Sequence, residues 1–202
     1  MAKGAGVRKG IFCLEGDWWG DMKRTPTVEH ALTLLNRLPP YHTPYIHRDV
    51  ATRAEFVHYL SKWRQAKHAD YPILYLAFDG GEGTIQFGDL RKPENEISLE
   101  DLAELLEGAC RGRIVYFGSC DTLNQHGNRL RAFVRRTDAL AVCGFRRSVD
   151  WLTSMAFDLL FMRQAQHNAF TVSGAQAIRR HVAKEAAGLA RELGFHMLVA
   201  ER

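Results

Sequence analysis

Six consecutive apolar or aromatic residues, Ile73-Leu74-Tyr75-Leu76-Ala77-Phe78, stand between Pro72 and Asp79-Gly80-Gly81. A strand with one face in water alternates polar and apolar side chains. A run without alternation predicts burial on both faces, as in a strand of a parallel sheet with helices above and below. Ile114-Val115-Tyr116-Phe117 repeats the pattern and breaks at Gly118-Ser119-Cys120, and Ala139–Cys143 repeats it before Gly144. Shorter strands are expected at Ile11–Leu14, ending at Gly16, at Tyr45–Arg48 and at His196–Ala200. The polar and apolar residues of 84–89 alternate, which predicts a small exposed hairpin.

Helices are expected between these runs. Thr25-Pro26 opens one, with Val28, Ala31, Leu32, Leu35 and Leu38 at helical spacing and Pro39-Pro40 as its stop. Thr52-x-x-Glu55 is a capping box ahead of Phe56, Leu60 and Trp63. Ile97, Ser98, Asp101 and Leu102 combine a cap with a hydrophobic staple. Further helices are expected through Leu130, Phe133 and Val134, and from Asp150 to His167. A last one is capped by Ser173-x-x-Gln176, carries Ile178, Val182, Leu189 and Leu193, and ends at Gly194. Six strands alternating with helices predict a three-layer α/β/α sandwich with a mostly parallel sheet, in one domain over residues 1–202.

Composition narrows the function classes. The 202 residues are 46% hydrophobic and 25% charged, the balance of a globular chain. The apolar runs fall far below the ~18 residues of a membrane span, so no membrane partner is expected. The start, MAKGAGVRKG, has no apolar core for a signal peptide. Four cysteines, Cys13, Cys110, Cys120 and Cys143, form no CxxC and no zinc-like cluster, which suits a reduced, cytoplasmic protein. The net charge of +4 is scattered over Arg135-Arg136, Arg146-Arg147 and Arg179-Arg180, so no nucleic-acid groove is expected. Gly80-Gly81-Glu82-Gly83 lacks the GxGxxG spacing and the GK[ST] ending of a phosphate loop, and no cofactor is expected.

Ligands of parallel sheets sit outside the carboxyl ends of the strands, which singles out Asp79-Gly80 and Ser119-Cys120. LYLAFDGGEGTIQFGD, a capped helix and IVYFGSCDTL together resemble the caspase-like superfamily of cysteine peptidases, including metacaspases and the CHAT-type proteases. ALAVCGFRRSVDW is similar to the fifth strand and pocket loop of its small stand-alone bacterial members. The resemblance implies a caspase-like sheet and a hydrolase acting on a peptide or protein. In that reading Cys120 is the nucleophile, and the backbone N–H groups of Gly80 and Cys120 hold the oxyanion. Arg146 and Arg147, which would favour an acidic substrate side chain, or Asp150, which would favour a basic one, supply the substrate pocket.

One position departs from the pattern. Asp79 stands where the family has its histidine. A carboxylate near pKa ~3.9 is about 4.6 units too weak to deprotonate a thiol near ~8.5, roughly 6 kcal/mol uphill. Its charge also raises the thiol pKa instead of lowering it. Three alternatives follow: a non-catalytic relative that binds a peptide or protein through the remaining cleft, recruitment of His126 or His68, or completion of the site by a partner. Asp79, Glu82, Asp89 and Asp121 are candidate ligands for a hard cation, with solvated surface carboxylates the simpler expectation and no metal assigned. Trp18-Trp19 is a candidate lid or partner contact.

Overall fold

The computed structural model describes residues 8–18, 23, 26–88 and 92–201. Its elements follow the order β1 (Ile11–Gly16), α1 (Glu29–Arg37), β2 (Tyr45–Val50), α2 (Arg53–Trp63), β3 (Ile73–Ala77), β4 (Asp79–Gly81), β5 (Thr84–Gln86), β6 (Glu96–Ser98), α3 (Leu99–Leu105), β7 (Ile114–Phe117), α4 (Gly127–Thr137), β8 (Ala141–Phe145), α5 (Trp151–His167), α6 (Val172–Glu185), α7 (Ala187–Glu192) and β9 (Phe195–Val199). Six strands form one sheet in the order β2-β1-β3-β7-β8-β9. All neighbours pair in parallel except β9, which runs antiparallel to β8.

Successive residues of a strand point to opposite faces, so the unbroken apolar runs feed two cores. Ile11, Cys13, Ile73, Tyr75, Ala77, Tyr116, Cys143 and Phe145 are buried with Leu32, Phe157, Phe161 and Ile178 of α1, α5 and α6. Phe12, Leu14, Leu74, Leu76, Val115, Phe117 and Val142 are buried on the other face with Phe56, Trp63, Leu102 and Phe133 of α2, α3 and α4. The architecture is the expected three-layer sandwich. The capping box of α2 is present with both reciprocal bonds, and Ser98 caps α3 by accepting from the Asp101 N–H.

Several local expectations change. The small hairpin is a three-stranded antiparallel sheet, β4-β5-β6, which begins at Asp79 itself; Asp89 lies outside the described residues. β8 starts two residues late and runs through Gly144, because the missing Cβ leaves room for the Phe117 carbonyl, 2.5 Å from where it would stand. α6 is capped by Thr171, not Ser173, and breaks at Ala186 before α7. α1 starts three residues after Pro26, and the Thr25 half of that signal lies outside the described residues.

Candidate functional site

Two chain crossings at the carboxyl ends of β3 and β7 build the site. After β3, Phe78 is buried and the chain turns directly into β4 at Asp79. After β7, Gly118 lies on the Tyr75 ring, 2.5 Å from where a Cβ would be, and Ser119 is fully buried. Ser119 Oγ and Thr122 Oγ1 are 2.6 Å apart, and Thr122 Oγ1 donates to the Thr84 carbonyl at 3.0 Å, fastening this turn to β5. Asp121, at φ +55°, donates its N–H to the Arg147 carbonyl, and the Leu123 N–H bonds the Phe145 carbonyl. The turn that carries Cys120 is therefore tied to β5 on one side and to the end of β8 on the other.

Gly80 and Cys120 are in contact. A Cβ on Gly80 would stand 2.4 Å from the Cys120 carbonyl oxygen and 2.5 Å from Thr122 Oγ1, so only glycine fits. Cys120 is half-buried, and its sulfur accepts the Val149 N–H at 3.4 Å. Cys13, Cys110 and Cys143 are buried, and burial pushes each of these thiols up, Cys110 to about 12.

Asp79 and Cys120 line one cavity of about 100 Å³. Trp18 and Trp151 supply aromatic walls, edge to face with ring centroids 4.6 Å apart, and Tyr75, Ser154, Met155 and Asp158 complete the lining with Val28, Gly118 and Val149. Asp158 is buried in mid-helix on α5, where its carboxylate accepts from Tyr75 Oη at 2.6 Å and from Tyr116 Oη. Burial lifts its pKa to about 6, against the opposing effect of the two hydroxyl donors. Burial, reinforced by the Asp158 charge, pushes both tyrosines well above their ordinary range.

Trp18 is itself anchored. Its Nε1 donates to Glu15 Oε1 at 2.6 Å. The buried Glu15 carboxylate also accepts from the Val28 N–H at 2.9 Å and Thr27 Oγ1 at 2.7 Å, and pairs with His47 Nε2 at 2.6 Å. Burial alone would lower the His47 pKa, but the hydrogen bond and charge of Glu15 outweigh it and the net direction is up. A second cavity of about 490 Å³ opens on the far side of Trp18, lined in part by Glu15, Asp17, Glu29, His47 and Asp49. Among the described residues, Glu15, His47 and Asp49 bring ligand-type atoms within 4.8 Å of one another. Four donors already occupy the Glu15 oxygens, so a cation there has to displace one of them. Asp79, Glu82 and Asp121 form no such group.

The remaining sequence candidates lie elsewhere. Arg146, Arg147 and Asp150 do not line the cavity. Arg147 Nη1 reaches the Arg191 carbonyl at 3.5 Å, and Asp150 caps α5 by accepting from the Thr153 N–H and Oγ1. The loop's contribution to the cavity comes from Val149 and Trp151 instead, because the cap turns Asp150 outward. His126 is exposed at the start of α4. His68 precedes β3, at the opposite end of the parallel strands, with Nδ1 on the Lys62 carbonyl. Trp18 is a cavity wall; Trp19 lies outside the described residues.

Asp158, Tyr75, Tyr116 and Glu15 escaped the sequence reading because each sits within an apolar run. A signal existed for one of them: Asp158 shares the helical spacing of Ser154, Phe157 and Phe161, so a carboxyl group had to point inward with them. No curated protein sequence matches the chain. The model of a family of unknown function, DUF6642, matches residues 8–199, and the chain belongs to that family.

Proposed function

We propose that the strand-end cleft is a caspase-like cleft that binds a basic side chain of a peptide or protein without cleaving it. The observation that carries this reading is the company of Cys120. Its cavity is lined by two carboxyl groups, Asp79 and Asp158, and two tryptophans, and no histidine is among the described residues that line it. Carboxylates and aromatic faces both attract an ammonium or guanidinium group. Neither replaces imidazole, which as a base accepts the thiol proton and as an acid returns one to the leaving amine.

A cysteine peptidase is the second reading, favoured by a separate observation. The Gly80 backbone packs on the Cys120 turn with no room for any side chain, as two converging oxyanion donors require. A single set of proteins separates the two: the parent chain, Cys120→Ala and Asp79→His, each exposed to a thiol-reactive probe across pH and to a library of basic-residue peptides. The binding reading expects no hydrolysis by the parent, binding of basic peptides that persists in Cys120→Ala, and weaker binding in Asp79→His. Peptide cleavage by the parent that disappears in Cys120→Ala overturns it in favour of the peptidase. Absence of any basic-peptide binding overturns it as well.

A further inference from the structure

The cleft that carries Asp79 and Cys120 is small, and most of its polar atoms are engaged with other parts of the chain. Both Asp158 oxygens accept a tyrosine hydroxyl, Oδ2 from Tyr75 at 2.6 Å and Oδ1 from Tyr116. Ser154 Oγ donates to the Trp151 carbonyl at 3.0 Å, and the Cys120 sulfur accepts the Val149 N–H. Trp18 Nε1 and Tyr75 Oη direct their hydrogens at Glu15 and Asp158, so what these two rings add to the cavity is carbon and π surface. The planes of Trp18 and Trp151 stand at 88° to each other and form a right-angled corner. Gly118 places no side chain over the Tyr75 ring, where a Cβ would lie 2.5 Å from a ring carbon.

These features discriminate among cations. The cavity measures about 100 Å³. A cavity of ~150 Å³ takes the six carbons of benzene, so this one has room for roughly four heavy atoms. A bare ammonium is a single heavy atom and underfills it. A guanidinium has the right size but brings five N–H donors, and a donor left unpaired away from water is costly. A trimethylated ammonium has the same number of heavy atoms, keeps its charge and donates no hydrogen bond. Its methyl groups pack on aromatic faces, which attract the charge they carry. We propose that the pocket of Trp18, Tyr75, Trp151, Asp79 and Asp158 selects a trimethylammonium head, as on a trimethylated lysine or a choline-type cation, over unmethylated lysine and arginine. The inference rests on the reading of the cleft as a binding site for a basic side chain and narrows it to one head group. The carboxyl groups supply the charge that draws a cation in, and the rings supply the contact that favours methyl over N–H.

The test is calorimetry on the full chain with one short peptide that carries lysine, arginine, trimethyllysine or a neutral isostere of trimethyllysine in which carbon replaces the charged nitrogen, and with choline. Trimethyllysine is expected to bind about tenfold more tightly than lysine, arginine and the isostere. Choline names the source: affinity equal to the trimethyllysine peptide marks a head group recognised alone, and weaker binding marks a methylated side chain. Trp151→Leu, which keeps apolar bulk and loses the π face, is expected to abolish the preference for trimethyllysine, whereas Trp151→Phe retains most of it. The peptide series on the parent chain needs no variant and decides the matter even where Trp151→Leu fails to fold. Lysine or arginine bound as tightly as trimethyllysine overturns this inference and leaves the basic-side-chain reading of the cleft standing. An isostere bound as tightly as trimethyllysine, or a preference unchanged in folded Trp151→Leu, overturns it as well. Binding of none of these ligands removes the reading of the cleft itself.

Discussion

Asp158 and His196 are two buried or half-buried groups with opposite consequences for stability. The Asp158 carboxyl has a folded pKa of about 6, against ~3.9 in an unfolded chain. Between those values the unfolded chain has released its proton and the folded chain has not, so stability falls as pH rises through the window. Above it the penalty reaches about 3 kcal/mol, at 1.36 kcal/mol per unit. Asp158→Asn removes the charge and keeps an acceptor for one tyrosine hydroxyl. It is expected to be more stable than the parent at neutral pH, with the gain shrinking to nothing or reversing below about pH 4. Urea midpoints at both ends of that range check this, and a loss of stability at neutral pH would show that the ionised carboxylate is well solvated by Tyr75 and Tyr116. His196 works the other way: with a folded pKa of about 4, the stability it contributes is present above ~6.5 and lost as pH falls toward 4. The parent curve should thus be flatter between pH 4 and 6 than that of either single variant, Asp158→Asn rising with pH and His196→Gln falling. The placement of Cys120 and Asp79 at neighbouring strand ends was legible in the sequence because glycines follow one and precede the other where the apolar runs stop. Asp158 was passed over although its spacing with Ser154, Phe157 and Phe161 points it inward, because a lone carboxyl in an apolar helix is easily taken for an exposed residue.

At the scale of elements, β4 is three residues long and has little packing of its own. Its position is set by what Gly80 lacks. Gly80→Ala puts a methyl carbon against the Cys120 carbonyl and Thr122 Oγ1 at contact distances no real Cβ tolerates, and one of those neighbours is backbone. Overpacking of this kind costs about 1–3 kcal/mol, relieved only by moving β4 off the Cys120 turn. The expected result is a lowered unfolding midpoint together with altered thiol reactivity of Cys120, whereas Gly188→Ala, in α7 with open space around it, leaves the reactivity unchanged and moves the midpoint, if at all, upward. A normal midpoint and unchanged reactivity in Gly80→Ala would mean that the two crossings are not in contact. The core elements were readable because burial on both faces leaves an unmistakable apolar run. Their ends were not. Gly144 looks like a terminator but passes through the strand, and Thr171 and Ser173 are equally good caps until the chain path makes one extended and the other helical.

Across the whole molecule, the strand order sorts charge along the face at the carboxyl ends of the parallel strands. Glu15, Glu29 and Asp49 gather at β1 and β2, Asp79 and Asp158 lie at the β3–β7 cleft, and Arg146, Arg147, Arg179 and Arg191 collect around β8 and β9. The +4 net charge, spread through the sequence in short basic pairs, is thus only partly sorted by the fold: Arg48 and Arg53 stand near the acidic group, and Asp150 and Glu192 near the basic one. Such a face orients a ligand that carries both signs. Strands lie ~4.8 Å apart, so the three steps from β3 to β9 span roughly 14 Å, the reach of about four extended residues at ~3.4 Å each. If the cleft and the arginines around β8 and β9 act on one ligand, a peptide with a basic and an acidic residue about four positions apart binds more tightly than one with the two adjacent, or with either neutralised. Calorimetry on a spacing series measures this. The advantage of the matched spacing should disappear in Arg179→Gln, while the contribution of the basic residue alone should survive there and weaken in Asp79→Asn. At moderate salt the Debye length of ~10 Å is shorter than the span. Each charge is then felt only by the site it occupies, so the spacing preference reports simultaneous occupancy and not a diffuse field. Equal affinity at every spacing would separate the two sites and leave each to its own ligand.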